Sequence, residues 1–172
     1  MGKLFKSAWD AYYSDVIDYR TGSAVVKVDA STRTISTNFD DIHADVGNVI
    51  PNQRASDTVD LAGLRPEGRR WCPVDPWTYE SSVHSGIHIV GDATDATTVG
   101  KVPKSGFIAN SMGKVCAFAV VALMNGDKPP RPSMANTCYS LVSETEGISV
   151  TAVYDWDDES KKIADVKLSL RP

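Results

Sequence analysis

The stretch IANSMGKVCAFAVVALM, residues 108–124, constrains this chain most. Its apolar residues recur at helical spacing, and from Val115 onward they occupy nearly every side. Asn125-Gly126 supplies a C-terminal stop. A helix that is apolar all round is normally surrounded by the rest of a folded body. The spacing therefore predicts a helix over 108–124, buried within a larger structure. The strongly apolar run, 115–124, is about half the length a bilayer span needs, so no membrane span is expected.

Composition decides whether the chain can supply such a body. It has 172 residues, 42% hydrophobic and 23% charged. That is enough for one ordinary domain with a real core, and it excludes disordered and fibrous classes. Lys plus Arg is 18 against 22 for Asp plus Glu, a net charge of −4. No basic block exists, so nucleic acid is not an expected partner. The first twenty residues carry acids and aromatics rather than an apolar signal segment. Three cysteines without CxxC spacing exclude a fully paired disulfide framework and leave the compartment open. The histidines do not share a helix face, and no metal site is expected.

Around the long helix the pattern is mixed. Residues 4–19 read as an amphipathic helix whose apolar side needs cover. Residues 24–28 and 33–37 read as two strands joined through a hairpin at 29–32. Residues 71–77, with two prolines and two tryptophans, read as a packed loop. GIHIV, 86–90, reads as the clearest strand, and a proline-rich connector occupies 127–132. NTCYS, 136–140, reads as a polar loop beyond it. Residues 148–154 and 164–170 read as further strands. Strands around one buried helix suggest an α/β arrangement. No G-x-G-x-x-G or G-x-x-x-x-G-K-S/T phosphate loop is present.

Three places could carry chemistry. Gly91-Asp92 follows the predicted strand at the carboxyl end, where open α/β sheets bind ligands, and a carboxylate there accepts hydrogen bonds from hydroxyls. On local sequence alone it reads first as a common turn dipeptide. KVPKSGFIAN, 101–110, leads into the long helix, whose unpaired N–H groups favour an anion or an electron-rich carbonyl. Lys104 could add a positive charge, while plain capping by Ser105 or Asn110 explains the same residues. Cys138 stands among polar residues, as reactive cysteines do, or is an inert surface thiol. Cys116, inside VCAFAV, reads as packing.

Taken together, SAVVKVD (23–29), ADVGNVIPNQRA (44–55), WCPVDPWTYESSVHSGIHIVGDA (71–93), PKSGFIANSMGKV (103–115) and NTCYSLVSETEGISVTAVY (136–154) are more specific. With them the chain resembles the flavoprotein subunit of flavocytochrome c sulfide dehydrogenase, within the FAD-dependent pyridine nucleotide–disulfide oxidoreductases. The resemblance implies an α/β fold: an incomplete FAD/NAD(P)-binding Rossmann-like fold of the disulfide reductase type, with a C-terminal α+β interface region. It implies that residues 1–40 are the tail of an inserted nucleotide-type domain. Residues 41–125 would be the returning part of the FAD domain, and 126–172 a shortened flavin-binding and interface region. The glycine-loop half would then reside in a separate N-terminal FAD-binding partner. The chain alone would be inactive and would expose core surface.

The family's chemistry then maps onto this sequence as follows. Gly91, Asp92 and Ala93 would hold the FAD ribityl region. Lys104, Ser105, Gly106, Ala109 and Asn110 would face the flavin at the helix start. Cys138 would be one cysteine of a redox-active disulfide that sulfide attacks, with electrons passing through FAD to a cytochrome c haem subunit in the periplasm. The partner cysteine would lie outside this chain. Met112 stands where the family commonly has Gln. A sulfide:quinone oxidoreductase, another flavin disulfide reductase, or a noncatalytic interaction fragment are the alternatives.

Overall fold

The computed structural model describes residues 2–166. The chain divides into two compact units. The first comprises Met1–Asn52 with Val142–Thr145. It opens with α1, Gly2–Tyr12, shorter than the expected 4–19 and with no buried residue. Its aromatics stack on one another: Trp9 lies 5.9 Å from Phe5 and 5.2 Å from Tyr19, centroid to centroid. The expected hairpin is present as β1, Val25–Asp29, and β2, Thr34–Thr37, paired antiparallel. The Asp29 carboxylate shapes the turn by accepting from the Ser31 hydroxyl at 2.6 Å and the Ser31 N–H at 3.0 Å. A short β3, Asp41–His43, which the sequence did not announce, completes a meander in the order β1-β2-β3.

The second unit comprises Gln53–Leu141 and Glu146–Pro172. It contains α2, Asp57–Leu61; α3, Ala96–Val99; and the long α4, Gly106–Met124. Then come β4, Ser133–Leu141; β5, Gly147–Asp157; and β6, Lys162–Asp165. These three strands form one antiparallel sheet in the order β4-β5-β6. α4 packs on β4, and α3 on β6. The core gathers Cys72, Val74, Tyr79, Val99, Ile108, Met112, Met134, Tyr154 and Ile163.

This overturns the expected Rossmann-like α/β fold. The described residues form two separate three-stranded antiparallel sheets and no parallel ladder; the parallel pairings are the single bridges Cys72–Thr94 and Gly100–Ile163. The connections explain it. Parallel neighbours need a crossover of a dozen or more residues, whereas the strands of each sheet here follow one another through tight turns.

Three local readings change as well. GIHIV does not join a ladder; only His88 makes a bridge, to Glu80, inside a compact series of turns over 72–94. Of its apolar residues only Ile89 meets the core, and Ile87 and Val90 are exposed. NTCYS is not a loop but the middle of β4. Its polar residues alternate faces, with Met134 and Asn136 buried and Ala135 and Tyr139 exposed. The last predicted strand forms only as β6, and residues 167–170 of that prediction lie outside the described residues.

α4 forms where expected but is not surrounded. Ile108, Met112 and Ala119 are its buried residues, one stripe against the sheet. Phe118 is 66% exposed and Met124 82%. β4 and the turn at Gly91–Ala93 cover only one side of a helix about 28 Å long. The apolar run also reaches back beyond Val115, so that the whole of α4 is long and apolar enough to cross a membrane. The expectation of no membrane span rested on the shorter run and loses that support.

Candidate functional site

The residues singled out in the sequence converge where α4 begins. Gly91–Ala93 forms a single 3-10 turn packed on α4. Gly91 has φ +73°, and a Cβ added to it would meet the Ala109 Cβ at 3.3 Å. The turn can approach the helix this closely because one partner has no side chain and the other only a methyl. The Gly91 N–H donates to the Met112 sulfur at 3.2 Å. Met112 thus satisfies a buried backbone donor.

Lys104 ties the turn to the loop before α4. Its Nζ donates to the Asp92 carbonyl and, at 2.9 Å, to the Thr94 carbonyl. The same ammonium lies 3.8 Å from the centre of the Trp71 ring, a cation–π geometry. Burial pushes the Lys104 ammonium below its usual value, against the opposing pull of Asp92 and Asp95. The Asp92 carboxylate is different. It is exposed and accepts no hydrogen bond from the described residues. Trp71, Asp92, Ala93 and Lys104 line a cleft of about 390 Å³ together with Arg54 and Ala55.

α4 starts with a true N-cap. The Ser105 Oγ accepts from the Ile108 N–H at 3.2 Å, and Ser105 has extended backbone angles. Gly106 faces open space, and Asn110 is exposed on the same first turns. The Ser105 hydroxyl also donates to the Asn136 Oδ1 at 2.7 Å, and the Asn136 Nδ2 donates to the Cys138 Sγ at 3.3 Å. Asn136 and Cys138, two apart on β4, share the face turned towards α4. Cys138 is half-buried, with Val150 opposite it on β5. All three cysteines are free thiols. Burial pushes the Cys72 and Cys116 thiols up, which suits packing.

Gly91, Asp92 and Ala93 therefore form one turn to which Lys104 is hydrogen-bonded, while Ser105, Gly106, Ala109 and Asn110 make the start of α4. Cys138 is linked to them through Asn136. Asn136 and Trp71 were not singled out from the sequence. The signal for Asn136 was its i, i+2 spacing to Cys138, which places both on one face only if the segment is a strand.

Two family models match the chain. Residues 1–51 match the central part of the flavocytochrome c sulfide dehydrogenase flavoprotein chain. Residues 130–170 match the flavin-binding part of flavocytochrome c sulfide dehydrogenase. The chain belongs to the flavocytochrome c sulfide dehydrogenase flavoprotein family. It is thereby of the oxidoreductase type, in a family that associates with flavin. The flavin-binding match takes in all of β4, β5 and β6, with Asn136 and Cys138. The central match closes at residue 51, where the first unit closes at Asn52.

Proposed function

We propose that this chain contributes the flavin-facing wall of an FAD-dependent sulfide dehydrogenase that delivers electrons to a cytochrome c haem subunit in the periplasm. The observation that carries the reading is the hydrogen-bonded path from the start of α4 to the Cys138 sulfur. It puts the one cysteine not engaged in apolar packing beside the residues assigned to the cofactor.

The residues present fit a flavin nucleotide. The unsatisfied Asp92 carboxylate suits the hydroxyls of a ribityl chain. The first turn of α4, open at Gly106, offers N–H groups and the positive helix end to an electron-rich carbonyl edge. Trp71 and Lys104 give the cleft an aromatic and cationic side. No glycine loop for the pyrophosphate occurs in these 172 residues, so an FAD-binding half outside them would supply it. In this arrangement residues 1–40 belong to the inserted domain, 41–125 to the FAD domain and 126–172 to the flavin-binding and interface region.

Cys138 would be one half of a disulfide whose other cysteine comes from outside this chain. Hydrosulfide attacks one sulfur and the S–S bond breaks. The attacked cysteine keeps the incoming sulfur as a persulfide, and the other leaves as a thiolate holding the bond's electron pair. FAD, when bound, supplies the two-electron acceptor that releases electrons singly to haem. Asp92 orients, and the start of α4 stabilises developing negative charge.

Co-expression with a glycine-loop half of the same family, followed by an absorbance scan, tests the reading. Bound flavin that sulfide bleaches, with bleaching abolished and flavin retained in Cys138→Ser, is the expected result. A soluble complex without flavin, or bleaching that survives Cys138→Ser, would overturn it. The exposed apolar flank of α4 favours a second reading, a membrane quinone as acceptor. Reduction of a soluble quinone analogue in preference to cytochrome c would support that one.

A further inference from the structure

The hydrogen bonds at the start of α4 all point the same way. The Ile108 N–H donates to the Ser105 Oγ, so the hydroxyl hydrogen is left for another acceptor. At 2.7 Å that acceptor is the Asn136 Oδ1. An amide whose oxygen is held in this way must turn its NH2 outward from the pair. The Nδ2 donates to the Cys138 Sγ at 3.3 Å, and the neutral thiol donates in turn to the Oδ1 at the longer 3.8 Å; once the sulfur is an anion only the N–H contact stays attractive. Asn136 is 3% exposed, so water does not compete for either end of the amide. A backbone donor of the positive helix end is thereby passed, through a hydroxyl and an amide, to a sulfur in the neighbouring strand. Aligned donors of this kind polarise one another.

We infer that Asn136 is a positioning residue for Cys138, and that the Ser105 hydroxyl sets its orientation so that the N–H is the amide group nearer the sulfur. The inference rests on Cys138 being the redox sulfur, and it adds what makes that sulfur able to carry charge. A thiolate formed at Cys138 keeps a charge-assisted hydrogen bond. With the amide reversed, Oδ1 would face the anion and oppose its formation. No carboxylate, lysine or arginine among the described residues is hydrogen-bonded to this sulfur. Tyr154 on β5 senses its charge, but burial pushes that phenol up, so it stays neutral through the useful range.

The test needs no cofactor. The reduced full chain is treated with iodoacetamide from pH 6 to 9, and alkylation of Cys138 is followed by peptide mass spectrometry. Cys116 in the same sample is the internal reference. Asn136→Ala should slow Cys138 alkylation several-fold at pH 7, through loss of the N–H bond to the developing thiolate. Ser105→Gly keeps most of the capping value at α4 while removing the hydroxyl. It should produce a several-fold slowing in the same direction, and Ser105→Thr should restore the parent rate. Thermal melts establish that each variant is folded. A folded Ser105→Gly or Asn136→Ala whose Cys138 profile matches the parent within twofold would overturn the inference. That result would leave the flavin reading intact, because Cys138→Ser and sulfide bleaching judge it separately.

Discussion

Gly100 offers the most demanding test of the packing. It ends α3 with φ 124° and ψ 177°, a backbone region that is essentially glycine-only. A Cβ placed on it would sit 2.0 Å from the carbonyl oxygen of Ile163 and 3.0 Å from that residue's C and N. The obstacle is backbone and cannot rotate away. Gly100→Ala must therefore drive β6 outward by at least about 1 Å, opening the Gly100–Ile163 bridge and loosening Ile163, which is 1% exposed. The backbone region alone costs about 1–3 kcal/mol. Adding lost burial at Ile163 brings the total to roughly 3–5 kcal/mol. That corresponds to a fall in Tm of roughly 6–20 °C for a chain of this size. Gly91→Ala is the comparator. It too has a positive φ, but its nearest neighbour is a methyl at 3.3 Å, which can yield. Its cost should be about 1–2 kcal/mol. Far-UV circular dichroism melts of both variants read the difference. A Gly100→Ala melt within a few degrees of the parent, or above that of Gly91→Ala, would refute the assigned contact between α3 and β6.

Two more predictions concern charge and surface. Burial pushes the Asp95 carboxyl up, but donors from Thr97 and the Arg69 guanidinium outweigh it and leave the group below its ordinary value. Such a carboxylate adds stability above about pH 4 and loses it as pH falls through the depressed value. The Tm advantage of the parent over Asp95→Asn should therefore shrink between pH 6 and pH 3; an advantage equal at both would contradict the sign. On α4, Phe118→Gln with Met124→Lys should reduce light scattering at high concentration with little change in Tm, since both residues are exposed. Unchanged scattering would mean that this flank is not the source of self-association.

The parts legible in the sequence were those with local causes. The β1–β2 hairpin, the limits of α4 with its Ser105 and Asn125 ends, and most of β5 follow from period, caps and turn chemistry. What failed depended on partners. GIHIV has the alternation of a strand, yet no ladder forms beside it. The uniform apolarity of α4 signals a need for cover but cannot say that only one stripe is met. At the candidate site, Gly91, Asp92, Lys104 and Ser105 were legible because small, acidic and capping residues announce turns and helix starts. Asn136 was not, since its neighbours are polar and its burial arises only when β4 lies against α4.

β4 and β5 are matched over nine consecutive pairs, from Ser133–Asp155 to Leu141–Gly147. The length of that match carries a parity rule for anyone altering the chain. A single residue inserted between Asn136 and Cys138 would leave one of them on the wrong side of the ribbon, however well the rest still folded. Insertions at the start of the connector, before Pro129, leave that register unchanged, whereas Pro129, Arg131 and the buried Pro132 are anchored to Trp77, Asp155 and the core. Length variation among relatives should accordingly be found at the start of the connector and be absent from the run Asn136–Cys138.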